Sequence, residues 1–154
     1  FKEGQEVELD GPMGHELVVD KDAHKILMIA GGIGITPFVP IAQDLQTNPG
    51  NITEAVLLYG VNRKDEFLYD EYFSRIAEKS RVFQLQKTVA FPEDNWNGRT
   101  GFVTSLLEDM DLSGYKIYMC GPPPMVNAVM NTLHQLQAEG RGVSDSFVFY
   151  ETAS

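Results

Sequence analysis

The chain has 154 residues, of which 43% are hydrophobic and 22% charged, a composition that suits one globular domain with its own core. Its 22 acidic and 12 basic residues leave a formal charge of −10, which repels nucleic acid and anionic membrane, and no run of about 18 apolar residues offers a bilayer span. A count of 1 cysteine excludes an internal disulfide and a Cys-rich iron–sulfur or zinc site, and the 3 histidines (His15, His24, His134) show no ligand spacing, so no metal is expected.

The opening, Phe1-Lys2-Glu3-Gly4, carries neither an initiator Met nor a signal peptide. It reads as a cut inside a longer polypeptide, and the expected location is cytoplasmic. Residues 5–10 alternate as an edge strand would, and Gly11-Pro12-Met13-Gly14 is a turn. From there the chain falls into strand-then-helix units. Residues 26–30 form a continuous apolar run, the mark of a strand buried on both faces. Thr36 is placed to cap the next helix and Pro37 to occupy its first position, with helical spacing from Phe38 to Leu45.

A second buried strand is expected over 55–59, followed by a polar turn and a helix near 68–77. A third strand, with one wetter face, covers 82–89. The stretch 91–101 is rich in turn residues, and a short helix is expected over 102–110. A fourth strand over 115–119, a well-patterned helix over 125–137 and a fifth strand over 146–150 complete the series. Short connections between alternating strands and helices imply a parallel sheet with right-handed crossovers. The expected fold class is therefore α/β, a five-stranded parallel sheet with helices on both faces.

Ligands of such sheets sit outside the carboxyl ends of the strands. The loop after Ala30, the turn Tyr59-Gly60-Val61-Asn62, the 88–101 loop, the turn at Cys120 and the tail after Tyr150 all fall on that rim. Two of these segments read as halves of one nucleotide site: Gly31-Gly32-Ile33-Gly34-Ile35-Thr36-Pro37 and Cys120-Gly121-Pro122-Pro123-Pro124-Met125. A glycine loop at a strand-to-helix turn brings backbone N–H groups to a pyrophosphate. Gly32 and Gly34 fit the first two positions of the G-x-G-x-x-G fingerprint, but Pro37 stands where a third glycine is usual. The acid expected at the second strand end is replaced by Gly60 and Asn62.

Cys120 places a soft, uncharged side chain beside the pyrophosphate's cargo, and no His or Lys near it in sequence lowers its pKa. It is read as a wall of a nicotinamide pocket rather than a nucleophile. Gly121 permits close approach, and the prolines stiffen the turn. Arg63 and Lys64 suit either a contact to an adenosine ribose or 2′-phosphate, or a solvated turn. Trp96 with Arg99 suits an adenine cover or an ordered turn, and Glu151 a proton-handling or a surface carboxylate.

The two motifs, with Tyr59-Gly60-Val61-Asn62, Phe67-Leu68-Tyr69, Trp96-x-Gly98-Arg99-x-Gly101-x-Val103 and Phe149-Tyr150-Glu151, resemble the C-terminal NAD(P)H-binding domain of the ferredoxin–NADP reductase superfamily. Within it, the chain is most similar to NADH-dependent reductase components of bacterial aromatic-ring oxygenases and to related flavin reductases. The resemblance implies an FAD-binding barrel earlier in the same polypeptide, of which residues 1–20 resemble the last strand, with the nucleotide domain over 21–154. It implies hydride passing from the nicotinamide to the flavin, then single electrons to an iron–sulfur domain, a ferredoxin-type acceptor, haem or another flavin. It also implies that Gly32, Gly34 and Thr36 line the pyrophosphate and nicotinamide side, and that Cys120 and Gly121 flank the nicotinamide. The turn holding Gly60, Asn62 and Arg63 would meet the adenosine, and Glu151 would stand near the flavin edge. Asp65 and Glu66, in a chain acidic overall, favour NADH over NADPH. An NADPH-dependent ferredoxin or flavodoxin reductase and a non-catalytic dinucleotide sensor are the competing readings.

Overall fold

The computed structural model describes residues 18–93, 95–141 and 148–152. The expected strand at 5–10 and its Gly-Pro turn lie outside these residues, as does nearly all of the barrel remnant assigned to 1–20. Among the described residues six strands appear: β1 (Lys25–Gly31), β2 (Glu54–Val61), β3 (Phe83–Val89), β4 (Arg99–Thr100), β5 (Tyr115–Gly121) and β6 (Val148–Thr152). They form one parallel sheet in the order β4-β3-β2-β1-β5-β6. Four α-helices connect them: α1 (Phe38–Thr47), α2 (Asp70–Lys79), α3 (Val103–Leu107) and α4 (Pro123–Ala138).

The sheet therefore has six strands, not the five expected. The additional one, β4, is only two residues long, too short for an alternating pattern to show in sequence. It is held by tertiary bonds: Gly101 N–H donates to the Val89 carbonyl at 3.0 Å, and the Thr88 hydroxyl donates to the Gly101 carbonyl at 2.8 Å. Thr88 is fully buried, so its hydroxyl needs that partner.

Both faces of the sheet are covered, which explains the unbroken apolar runs. Ile26, Met28 and Ala30 pack with Phe38, Ala42 and Leu45 of α1 and Phe73 and Ile76 of α2. Leu27 and Ile29 point the other way, against Val103 and Leu107 of α3 and Val126, Val129 and Leu133 of α4. Each of the five residues from Ile26 to Ala30 is 0% exposed. Among the described residues, no helix is long and apolar enough to cross a membrane.

The passage from β1 to α1 also departs from expectation. A 3-10 turn over Gly32–Ile35 intervenes, α1 starts at Phe38 and Pro37 is its flanking residue. Thr36 does not cap the helix. Its hydroxyl donates back to the Ile33 carbonyl at 3.0 Å, within the intervening turn, and Pro37 takes the flanking position.

The turn brings Gly34 against the end of β5. A Cβ at Gly34 would lie 2.2 Å from the Cys120 carbonyl oxygen and 2.8 Å from Gly121 Cα, inside backbone that has no room to yield. Gly32, with φ +55°, has nothing within 4 Å of its missing Cβ. Two neighbouring glycines are thus required for different reasons, one steric and one conformational. Gly34→Ala should cost about 3 kcal/mol or more by overpacking, and Gly32→Ala only about 1 to 2 kcal/mol for the left-handed backbone. Denaturant midpoints of the two variants at a common m-value check this order.

Candidate functional site

From β1 the chain proceeds one way through β2 to β3 and β4, then returns to add β5 and β6 on the other side of β1. The reversal falls between β1 and β5, and in open parallel sheets ligands occupy the crevice at that point. Both loops singled out by sequence leave the sheet there, the glycine turn from β1 and the proline turn from β5.

A cleft of about 510 Å³ opens at these strand ends, on the side of α3 and α4. Its walls are Gly31 and Gly32, the end of β2 (Gly60, Val61, Asn62) with Glu66, the segment Gly101 to Thr104, and Pro122, Pro124, Met125 and Ala128 at the start of α4. Gly32 leaves its side of the cleft uncovered. Met125 does the opposite: its sulfur would lie 2.2 Å from a Cβ at Gly31 and 2.8 Å from one at Gly121. Those two glycines make room for the thioether, so the proline turn is locked to β1 by an unbranched, adaptable side chain.

The start of α4 has an unusual chemistry. Pro122 flanks the helix, and Pro123 and Pro124 fill its first positions. Prolines carry no N–H, so of the first three helical positions only Met125 keeps a donor while the helix dipole remains. The proline turn is better suited to an uncharged ring or ribose than to a phosphate.

Glu66 lies in a 3-10 turn after β2, and its carboxylate accepts from the N–H of Asn62 at 3.1 Å and of Arg63 at 3.3 Å. Those amides are therefore occupied, and the cleft carries a carboxylate at the end of its second strand. Arg63 is exposed outside the cleft wall, with its guanidinium 3.9 Å from Glu93. Phe102 lines the cleft at 59% exposure, and the equally exposed Phe91 meets its ring edge-on at 5.7 Å. Trp96 serves the loop: its indole N–H donates to the Arg99 carbonyl at 2.9 Å, and its ring fills the space over Gly98 and leans on Phe67.

On the opposite face from the cleft, Cys120 is 2% exposed and packs with the α1 and α2 side of the core. It pairs in register with Ala30 on one side and Glu151 on the other. Burial, reinforced by the Glu151 charge, pushes its thiol from an ordinary 9.0 up to about 12. Glu151 is half-buried, with one carboxylate oxygen enclosed.

Residues 28–131 match the oxidoreductase NAD-binding domain family, more than half of the chain. The chain belongs to that family. An NADH-cytochrome b5 reductase 1 of Cryptococcus neoformans var. neoformans serotype D is 34% identical over 145 residues, 86% of this chain and 49% of the relative. A component of the Na(+)-translocating NADH-quinone reductase of Idiomarina loihiensis is 33% identical over 151 residues, 93% of this chain and 37% of that relative. Among solved structures, a cytochrome P450 reductase of Amycolatopsis has a TM-score of 0.73 at 28% identity, covering 93% of this chain and 43% of that one. The chain thus spans half or less of the length of these relatives.

The ferredoxin reductase-like resemblance and the NAD cofactor expected from sequence are thereby established. An NAD-binding domain needs a roomy, partly apolar crevice with an open backbone cradle, and the cleft beside Gly32 supplies one. Of the residues singled out by sequence, Gly31, Gly32, Gly60, Asn62, Pro122 and Met125 come together on the cleft wall. Gly34 and Gly121 lie behind it as packing partners, Thr36 and Pro37 follow on the way to α1, and Arg63 points outward. Cys120 and Glu151 adjoin each other across β5 and β6.

Sequence reading named Glu66 only as a charge that favours NADH; its place on the cleft wall beside Asn62 was not legible, because it reaches back from a separate turn, and Phe102 on that wall was not singled out. Trp96 takes its loop-ordering alternative.

The protonated thiol has a direct consequence. Folding raises the Cys120 pKa, so the native protein keeps a proton that the unfolded chain loses near 9.0, and stability contributed by the thiol falls as pH climbs from about 9 towards about 12. At pH 8, iodoacetamide should alkylate native Cys120 at least about a hundredfold more slowly than the urea-unfolded chain. Mass spectrometry of timed, quenched samples measures both rates.

Proposed function

We propose that this domain binds NADH and serves as the electron-input module of a flavoprotein reductase whose FAD is carried by another domain of the same polypeptide. The observation that carries the choice of NADH is the Glu66 carboxylate on the cleft wall beside Asn62. An acid at that place accepts from ribose hydroxyls and repels a 2′-phosphate. Two like charges at 4 Å cost about 1 kcal/mol even in bulk water, and more in a partly enclosed cleft. Arg63, the residue that would favour NADPH, faces Glu93 instead.

The roles then follow the chemistry of each wall. Gly32 and its neighbours hold the diphosphate through backbone N–H groups. Phe102 offers an exposed ring to the adenine, with Glu66 and Asn62 at the adenosine ribose. The N–H-poor proline turn, Met125 and the rim near Gly34 and Thr36 lead toward Cys120 and Glu151 at the nicotinamide end. Bound NADH supplies a hydride. The buried, protonated Cys120 thiol keeps the core behind that end uncharged, and the neighbouring Glu151 is the carboxylate proposed to stand near the flavin edge.

The relatives bear different acceptors in their names: cytochrome b5, a quinone and a cytochrome P450. For this protein, an iron–sulfur domain or a ferredoxin-type acceptor remains the proposed destination of single electrons.

Glu66→Gln tests the cofactor choice cleanly, because the amide oxygen can still accept from Asn62 and Arg63 while the charge is gone. The wild-type protein should bind NADH more tightly than NADPH. The variant should shift that ratio toward NADPH by about tenfold, on the order of 1.4 kcal/mol. Titration of both cofactors at fixed ionic strength reads it, and tighter NADPH binding by the wild type would reverse the assignment.

A further inference from the structure

Tyr59, at the end of β2, is 1% exposed, and its ring is fixed in the core of the α1 and α2 side, meeting Phe67 edge-on at 5.1 Å. Its hydroxyl donates to the Gly32 carbonyl at 3.1 Å and accepts from the Leu68 N–H at 3.0 Å. Burial raises its pKa, so it remains a donor at any physiological pH. Gly32 also opens the 3-10 turn Gly32–Ile35, its φ is +55°, and nothing stands within 4 Å of a Cβ built on it. Glycine in that region rotates readily, so the orientation of the following peptide needs a tether.

We propose that Tyr59 is a positioning residue for the diphosphate of the dinucleotide, acting through the peptide between Gly32 and Ile33. A trans peptide points its C=O and N–H in opposite directions. With the Gly32 carbonyl drawn toward Tyr59 on the α1 and α2 side, the proposed direction of the Ile33 N–H is the opposite one, toward the cleft that Gly32 lines. Without the hydroxyl the peptide keeps its place in the 3-10 turn but loses the side-chain donor that fixes its tilt, so its N–H is aimed less firmly at the phosphates. The same hydroxyl ties this peptide to Leu68, next to Tyr69, whose left-handed backbone (φ 57°) opens α2. The glycine turn and the start of α2 are thereby fixed to one buried atom. The inference rests on the dinucleotide reading above and adds a residue that touches no ligand.

The test compares ligands that do and do not carry a diphosphate, using Tyr59→Phe and, as a control, Tyr118→Phe. Tyr118 is a second buried tyrosine, whose hydroxyl accepts from the Asp20 N–H at 2.9 Å. Calorimetry with ADP-ribose and an NMR titration with adenosine give the affinities, and thermal melting checks that each variant is folded. Tyr59→Phe should weaken ADP-ribose binding by roughly tenfold, the scale of one well-placed hydrogen bond, and leave adenosine within about twofold. Tyr118→Phe should change neither. The Ile33 amide resonance should shift on ADP-ribose binding in the wild type and lose most of that shift in Tyr59→Phe. Unchanged ADP-ribose affinity, or a parallel loss for adenosine, would overturn the positioning role while leaving the NADH site standing. A wild-type protein that binds neither NADH nor ADP-ribose would overturn the dinucleotide reading and this inference with it.

Discussion

The contact of Gly34 with the backbone of Cys120 and Gly121 is the constraint on which the rim is built. It brings the turn after β1 to van der Waals distance from the end of β5, at the place where the direction of the chain across the sheet reverses. Met125 completes the join by filling the space left by Gly31 and Gly121. Once these two loops are locked, the cleft beside them has a fixed wall, and the open Gly32 is the part of that wall left for a ligand. Most of the glycines in the two motifs therefore serve protein packing, and the site is a product of that packing.

The division of labour between the faces follows from strand periodicity. Alternate residues of β1 and β5 reach opposite sides, so Cys120 belongs to the α1 and α2 core while the cleft lies with α3 and α4. A dinucleotide that uses both must lie across the strand ends instead of along one face. This arrangement separates a charged half, with Glu66 and the glycine turn, from a half walled by prolines, a thioether and a neutral thiol.

Much of this was legible from residues alone. Continuous apolar runs marked β1, β2 and β5, because a strand buried on both faces needs no polar residue, and the glycine and proline turns marked the rim. What escaped had no local signature. β4 is two residues held by Thr88, and Glu66 acts from a turn beyond the strand whose end it serves. Thr36 carries a capping side chain, but its hydroxyl is turned back to Ile33 by the 3-10 turn, and α1 starts at Phe38. The hydroxyl of Tyr59 was hidden in a residue whose aromatic ring suffices to explain its place in a buried strand. Each of these depends on which atoms tertiary packing brings together.

Trp96, whose ring covers Gly98 and rests on Phe67, is the sole tryptophan of the sequence. Phe67 in turn abuts Tyr59 and lies under the Lys87 ammonium, so the indole senses the carboxyl-end rim and little of the opposite end of the sheet. Its emission is therefore a built-in optical probe of that rim. A bound reduced nicotinamide would quench it by excitation transfer, while disturbances at the amino ends of the strands would pass unseen.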